Sequence, residues 1–392
     1  MKHIAIIIQK LHGGGAEHMA ANLSLALQDK YHVHLIVFDG ANIKYPYGGT
    51  LHDLHLPPMP GRFNKLYQLI RRVRVVKKIK EEYKIETSIS LMDGANFVNV
   101  FSKVGDTIIT SVRIQMSRSR FKKTWGKYIN IIFMRFIAAF SRWVVAVSEG
   151  VRLDLIHNFG LAPAKVITIH NFCNIEFIQN IVKTRKEGPA LLGPHSITTM
   201  GRCTIQKGQW HLIRSFGEVI KKVPDAKLYI LGEGPFRPQL EKLVEGLKLT
   251  KQVTFLGFRK DPFNYLAQSQ CFVLPSLFEG CPNVLIEAMA CGTASISTDC
   301  PSGSREILAP GTNILKPCSG VEYAEYGILT PVDNSIIFDA ATPLTGQEKI
   351  LSQTIIRLLT DDKLEKHYKA QALKRSQDFS PQVITAQWEK LL

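Results

Sequence analysis

The amino-acid sequence predicts an α/β protein with two doubly wound sheets and a ligand cleft between them. Three observations carry that prediction. The chain has 392 residues, too many for one ordinary core and suited to two domains of about 180–200 residues each. Short apolar runs alternate with amphipathic segments, the pattern of α/β layering. The alternation then restarts after a charged, Gly- and Pro-bearing stretch, Lys183–Pro194 (KTRKEGPALLGP), which reads as a linker.

Taken in order, His3–Ile8, Val33–Phe38, Thr87–Leu91, Thr107–Val112, Trp143–Val147 and Val166–Ile169 read as buried strands of a first domain, residues 1–185. Ala16–Gln28 and Lys65–Lys84 read as helices among them. In a second domain, residues 195–375, the expected strands are Ile197–Met200, Lys227–Leu231, Val253–Leu256, Cys271–Leu274 and Ala294–Ser297. Residues 376–392 are expected to form a helix that returns to the first domain. The apolar run within Met1–Lys10 is about half the length of a signal core, so a first strand is the better reading. No window approaches the roughly 18 apolar residues of a membrane span. Seven cysteines, with no C-x-x-C pair and no histidine at metal spacing, point to reduced thiols in a cytoplasmic protein without a metal site.

The net charge of +16 is uneven. Residues 1–190 hold 27 Lys and Arg against 13 Asp and Glu, whereas residues 191–392 hold 22 against 20. The first half is therefore the one expected to meet something acidic.

In doubly wound sheets, ligands sit beyond the carboxyl ends of strands, so the loops after the strands are where chemistry is sought. Gly13-Gly14-Gly15-Ala16-Glu17 follows the first strand and opens a helix. Its backbone can approach an anion closely; read alone, it is equally compatible with a tight turn. It is neither a Walker A loop nor a full G-x-G-x-x-G. Arg202 and Lys207 follow Ile197–Met200 and form a candidate diphosphate clamp, or else a solvated loop. After Cys271–Leu274 comes FEGCPNVLIEAMACG, residues 278–292. Pro282 and Asn283 suit a helix start, and Gly292 its end. Backbone N–H groups between the two carboxylates, at Asn283 and Val284, can receive phosphate oxygens, while Glu279 and Glu287 can accept hydrogen bonds from sugar hydroxyls; the alternative, a solvated face, fits less well with the apolar residues around them.

At this point the chain resembles the retaining GT-B glycosyltransferases of family 4, whose E-x7-E element looks like Glu279–Glu287 within SLFEGCPNVLIEAMACGTASIST. The likeness extends to HGGGAEHMAANLSLAL, VVAVSEGVRLDLI, VITIHNFCN, MGRCTIQKGQWHLIRSF, LYILGEGPFRPQLEKL and VTFLGFRKDPFNYL, nearly the whole chain. The resemblance implies two Rossmann-like domains and a nucleotide-sugar donor. It implies that Glu279 contacts the donor sugar, that Glu287 holds the ribose, and that Arg202 and Lys207 hold the diphosphate. Gly14 and Gly15 would shape the first-domain wall, and the base would lie near Leu256–Arg259. Many relatives carry a histidine in the loop where this chain has Arg113; an arginine there contacts donor or acceptor and cannot serve as a base. His170 stands where the family often has proline and reads as structural.

The expected reaction is transfer of a hexose, with retained configuration, from a nucleotide sugar to a glycan or lipid-linked acceptor in cell-envelope polysaccharide or glycoconjugate assembly. Uridine is the expected base. Charge developing on the departing diphosphate would be stabilised by preorganised cations, and the absence of an Asp-x-Asp motif fits a metal-independent site with no cofactor beyond the donor. The acceptor side is read from charge. Lys65, Arg71, Arg72, Arg74, Lys77, Lys78 and Lys80 lie between Phe63 and Lys80 with no acid, and Leu66, Ile70 and Val73 recur at helical spacing. A second run has Arg113, Arg118, Arg120, Lys122, Lys123 and Lys127 among Phe121, Trp125 and Tyr128. Both suit peripheral association with an anionic membrane at its cytoplasmic face, the alternative being a solvated face over core. A nicotinamide dehydrogenase would need a dinucleotide fingerprint that is missing. No nucleic-acid module is present. A catalytically silent partner subunit of another transferase is the remaining alternative, against which Arg202, Lys207, Glu279 and Glu287 stand together.

Overall fold

The computed structural model describes residues 1–117, 124–185 and 192–392. The chain forms two compact units, Met1–Phe172 with Pro381–Leu392, and Cys173–Ser380. Helix α6 (Ile175–Arg185) falls in the second unit, so the boundary precedes the stretch read as the linker; residues 186–191 of that stretch lie outside the described residues.

The first unit is built on a parallel sheet of β1 (His3–Ile8), β2 (His32–Val37), β3 (Thr50–Asp53), β4 (Thr87–Leu91), β5 (Thr107–Val112), β6 (Trp143–Ala146) and β7 (Val166–Thr168). Its order is β3-β2-β1-β4-β5-β6-β7. Strand β1 is a continuous apolar run because both faces are covered: Ile4 through Ile8 have no exposed surface. Helices α1 (Gly15–Leu27), α2 (Arg62–Glu82), α3 (Asp93–Phe101), α4 (Thr124–Phe140) and α5 (Glu149–Phe159) supply the cover. Ser148 caps α5 by accepting from Val151 N–H, and Gly160 in the left-handed conformation ends it. The closing helix α14 (Pro381–Glu389) packs against α1 and buries Trp388 completely, while Lys30 pairs with Glu389 at 2.8 Å.

Lys80, counted among the cations read as suiting an anionic membrane, belongs instead to the interior. It is fully buried, 2.8 Å from Asp106 and 2.7 Å from Asn99 Oδ1. A buried charge is retained only when paired and hydrogen-bonded, and this one is. Arg118, Arg120, Phe121, Lys122 and Lys123 lie outside the described residues, as do the side chains of Trp125 and Lys127.

The second unit repeats the plan with β8 (Ser196–Met200), β9 (Lys227–Leu231), β10 (Val253–Gly257), β11 (Cys271–Leu274), β12 (Ala294–Thr298), β13 (Glu322–Tyr323) and β14 (Ile328–Thr330). The order is β10-β9-β8-β11-β12-β14-β13, parallel except for the antiparallel edge pair β13–β14. Helices α7 (Gln209–Lys222), α8 (Arg237–Gly246), α9 (Phe263–Gln268), α10 (Asn283–Ala290), α11 (Ser304–Leu308), α12 (Gly346–Thr360) and α13 (Asp362–Ser376) surround it. Trp210, Phe216 and Ile213 of α7 enter its core. Each sheet is a Rossmann-like layer of seven strands. Among the described residues no helix is long and apolar enough to cross a membrane.

Candidate functional site

The strand ends of the second unit bring Lys207, Glu279 and Glu287 together. After β8 the chain makes a single 3-10 turn, Ile205–Lys207, and then Gly208 with φ 59°. That left-handed conformation favours glycine, and a Cβ there would also run into the carbonyl oxygen of Pro275. Gly208 thus lets the loop lie directly on the segment that leaves β11. Leu277 N–H donates to the Gln206 carbonyl at 2.8 Å, and Gln206 Nε2 donates to Phe278 O at 3.0 Å. The result is a fixed platform for Glu279, which is only 5% exposed. Lys207 Nζ donates to Glu279 Oε1 at 2.6 Å, Ser276 Oγ donates to the same oxygen at 2.7 Å, and Gln206 Nε2 reaches the other at 3.4 Å.

Glu287 lies one turn into α10. Burial pushes its carboxyl up to about 7, with the positive charge of Lys207 pulling the other way. Asn283 and Val284 open the helix behind Pro282, with no side-chain cap. A helix start of this kind directs its first N–H groups and the positive end of its dipole outward. Ser302 Oγ ties the neighbouring loop to it by donating to Gly280 O at 2.9 Å. Farther back, Arg305 bridges Asp299 at 2.6 Å and Glu322 at 2.7 Å and fixes the loop after β12. Cys300 lies near the Glu279 carboxylate, and burial pushes its thiol up to about 12, so it is neutral packing. All seven cysteines are free thiols.

Arg202 is exposed and makes no ion pair among the described residues, so it does not join the cluster directly. The stretch at Leu256–Arg259 carries Gly257 at φ 70° and an exposed Phe258. Gln206 and Ser276, which hold Glu279, escaped the sequence reading. Ser276 stands three residues before Glu279 on the same strand-end loop, and that spacing was the available signal.

In the first unit, Gly14 is the N-cap of α1, and a Cβ on it would meet the carboxylate of Glu17; Gly15 is the first helical residue. Arg113 follows β5, with its guanidinium donating to Asn171 Oδ1 and, at 3.4 Å, to Ser111 Oγ. His170 is half-buried beside Asn171.

Sequence spacing pointed to no metal cluster, yet the fold places ligand atoms of His211, Asp333 and Glu348 within 4.8 Å of one another. Asp333, Glu348 and the Nδ1 of His211 already have protein partners, while His211 Nε2 is buried without one among the described residues. His211 Nδ1 is 2.9 Å from Glu348 Oε1, which also accepts from Arg214 Nε at 2.8 Å, and Thr345 Oγ1 donates to Asp333. The trio ties α7 to α12.

Residues 13–177 match the family profile described as Glycosyltransferase Family 4, and residues 194–333 match that of Glycosyl transferases group 1. A relative from Methanocaldococcus jannaschii, known only as an uncharacterised glycosyltransferase, is 33% identical over 83% of this chain and 84% of its own. The chain is a family 4 glycosyltransferase. A Campylobacter jejuni relative of this family is 29% identical over 97% of this chain and 96% of its own. It is named N-acetylgalactosamine-N,N'-diacetylbacillosaminyl-diphospho-undecaprenol 4-alpha-N-acetylgalactosaminyltransferase. Anabaena HepE, solved with UDP and glucose, superposes with a TM-score of 0.76 over 100% of this chain and 99% of its own, at 18% identity. The two seven-stranded Rossmann-like sheets are thus those of the GT-B fold of family 4 glycosyltransferases.

Proposed function

We propose that this glycosyltransferase moves a hexose, with retained configuration and without a metal, from a UDP-linked donor to a polyprenyl-linked or glycan acceptor at the cytoplasmic face of the membrane, in cell-envelope glycoconjugate assembly. The observation that carries the donor half is the Lys207–Glu279 pair beside Glu287. A lysine ammonium has three donors, and Glu279 takes one of those of Lys207. The others meet no partner among the described residues, which suits an incoming diphosphate. Glu279, held by Ser276 and Gln206, accepts from a sugar hydroxyl; Glu287 accepts from the ribose; Arg202 supplies a second cation. Asn283 and Val284 add first-turn N–H groups. Such preorganised donors stabilise charge that builds on a leaving group more than they stabilise the bound substrate. Gly14, Gly15 and Arg113 keep the roles the resemblance implies. The undecaprenol-linked substrate in the name of the Campylobacter relative and the UDP bound to HepE support the acceptor and donor classes.

The test is thermal unfolding with a panel of UDP-, GDP- and ADP-sugars, followed by donor turnover. A donor at about 100 times its Kd adds about 2.7 kcal/mol of stability. Stabilisation by a UDP-sugar that disappears in Glu287→Ala is the expected result. No stabilisation by any of them, or an unchanged response in that variant, would end the reading.

A further inference from the structure

We infer that α2, α3 and α4 of the first unit form a lipid-docking face, whose apolar side chains enter an anionic bilayer and whose groove takes one hydrocarbon chain of a lipid. The inference rests on a feature that folding does not require. An amphipathic helix on a globular core needs one apolar stripe, and α2 has two. Leu69, Val73, Val76 and Ile79 pack on the core. Phe63, Leu66, Tyr67 and Ile70, at the i, i+3, i+4, i+7 positions of a second stripe, are exposed, Phe63 by 90%. Helix α4 repeats the arrangement. Met134 and Ile137 are buried, whereas Tyr128, Ile132, Phe136 and Phe140 form an exposed i+4 row, Ile132 by 69%. The exposed Phe101 of α3 is stacked on Phe136 at 5.2 Å and on Phe97 at 4.2 Å, which extends the apolar face from α4 onto α3.

Between the three helices runs a groove of about 460 Å³, lined by Leu69, Phe97, Ile129 and Phe133 together with Lys65, Arg72 and Asp93. Gln68, 5% exposed, also lines it, with its side-chain oxygen lacking any hydrogen-bond partner. An apolar trough with two cations against one acid suits a lipid, which joins a hydrocarbon chain to an anionic headgroup.

Charge selects the occupant. Lys65, Arg71, Arg74, Lys77 and Lys78 are exposed on α2, and no acid precedes Glu81 on that helix. A second copy of the chain would set this patch against itself across a twofold axis, cation to cation. An anionic lipid surface meets it with the opposite sign. Exposed aromatics beside rows of lysine and arginine are the composition of a helix that lies in a membrane interface. Bound in this way, the first unit would be held at the surface where a lipid-linked acceptor resides.

Co-sedimentation with vesicles of phosphatidylcholine, alone or containing phosphatidylglycerol, tests the inference. The protein is expected to pellet with the anionic vesicles and stay in solution with the neutral ones. Raising the salt should weaken binding about tenfold, because exposed charges are screened. The pairs Phe63→Ser with Tyr67→Ser and Ile129→Ser with Ile132→Ser should each weaken binding about tenfold, with unfolding midpoints and the response to UDP unchanged. Lys77→Ser with Lys78→Ser should remove much of the salt dependence. Failure of the parent protein to bind anionic vesicles would overturn the proposal, and so would equal binding by all variants. A solution dimer that the serine pairs dissociate would also overturn it, by assigning the stripes to self-association. Because vesicle binding is read without a donor, its outcome is separable from that of the glycosyltransfer reading.

Discussion

The two units each contain a lysine–carboxylate pair of nearly the same length, in opposite settings. Lys80 and Asp106, 2.8 Å apart, are sealed in the first unit, where Ser88 and Asn99 take the remaining hydrogens of the ammonium. Lys207 and Glu279, 2.6 Å apart, stand at the strand ends of the second unit, with Ser276 and Gln206 bonded to the carboxylate and no further described partner on the lysine. The first arrangement is complete and can only stabilise. The second has spare donor capacity and suits a ligand. A lysine–carboxylate distance alone therefore says nothing about role; the number of unfilled hydrogen-bond positions does.

The comparison can be broken most directly at Lys80. Lys80→Met leaves Asp106 charged and buried, which should cost about 3–5 kcal/mol in denaturant unfolding; a loss below 1 kcal/mol would mean the two pairs do not differ as described. Lys207→Met should behave the other way round. It should lower stability by only about 1–2 kcal/mol while donor turnover falls about 10²–10³-fold, the usual effect of removing one charge-stabilising donor. Next in size is Glu287→Ala. Loss of hydrogen bonds to a charged group, worth about 1.5–3 kcal/mol, should weaken UDP binding roughly 10–100-fold by calorimetry, with the fold intact.

A pH series sharpens the contrast, because the Glu287 carboxyl is raised to about 7 from its usual 4.5. Without nucleotide, the folded state holds the proton more tightly than the unfolded chain does. This contribution to stability is complete below about 4.5 and is lost as pH rises through 7. The ribose contact proposed for Glu287 uses the carboxylate form, so under that proposal affinity for UDP should rise over the same interval, up to about tenfold per pH unit below 7. Glu287→Gln should flatten both curves; parallel slopes of the same sign would contradict the assignment. The smallest effect is expected at Ser276→Ala. One of the bonds that position Glu279 is lost, and turnover should drop severalfold with UDP affinity unchanged.

Much of this architecture was legible before any coordinates. The strands at His3–Ile8, Thr87–Leu91, Thr107–Val112 and Cys271–Leu274 match their predicted limits, because short runs rich in apolar and β-branched residues, bounded by turn or polar residues, mark a buried strand. The edge strands Thr50–Asp53 and Glu322–Tyr323, and Ile328–Thr330 beside the second of them, were not seen. They are short, two of them carry charged residues, and they acquire strand geometry only by pairing with a neighbour.

By itself, then, the sequence determined what local chemistry determines. It specified the two α/β halves, the helix that Pro282 and Asn283 begin, and the ordered motifs that mark family 4. Tertiary structure decided the rest. Which carboxylate meets Lys207 across 72 residues, that Ser276 and Gln206 hold it, and that Lys80 turns inward all depend on groups distant in the chain. Helix α2 shows the limit best. Periodicity reveals apolar residues on it, yet with two such stripes only packing determines which one enters the core and which stays outside.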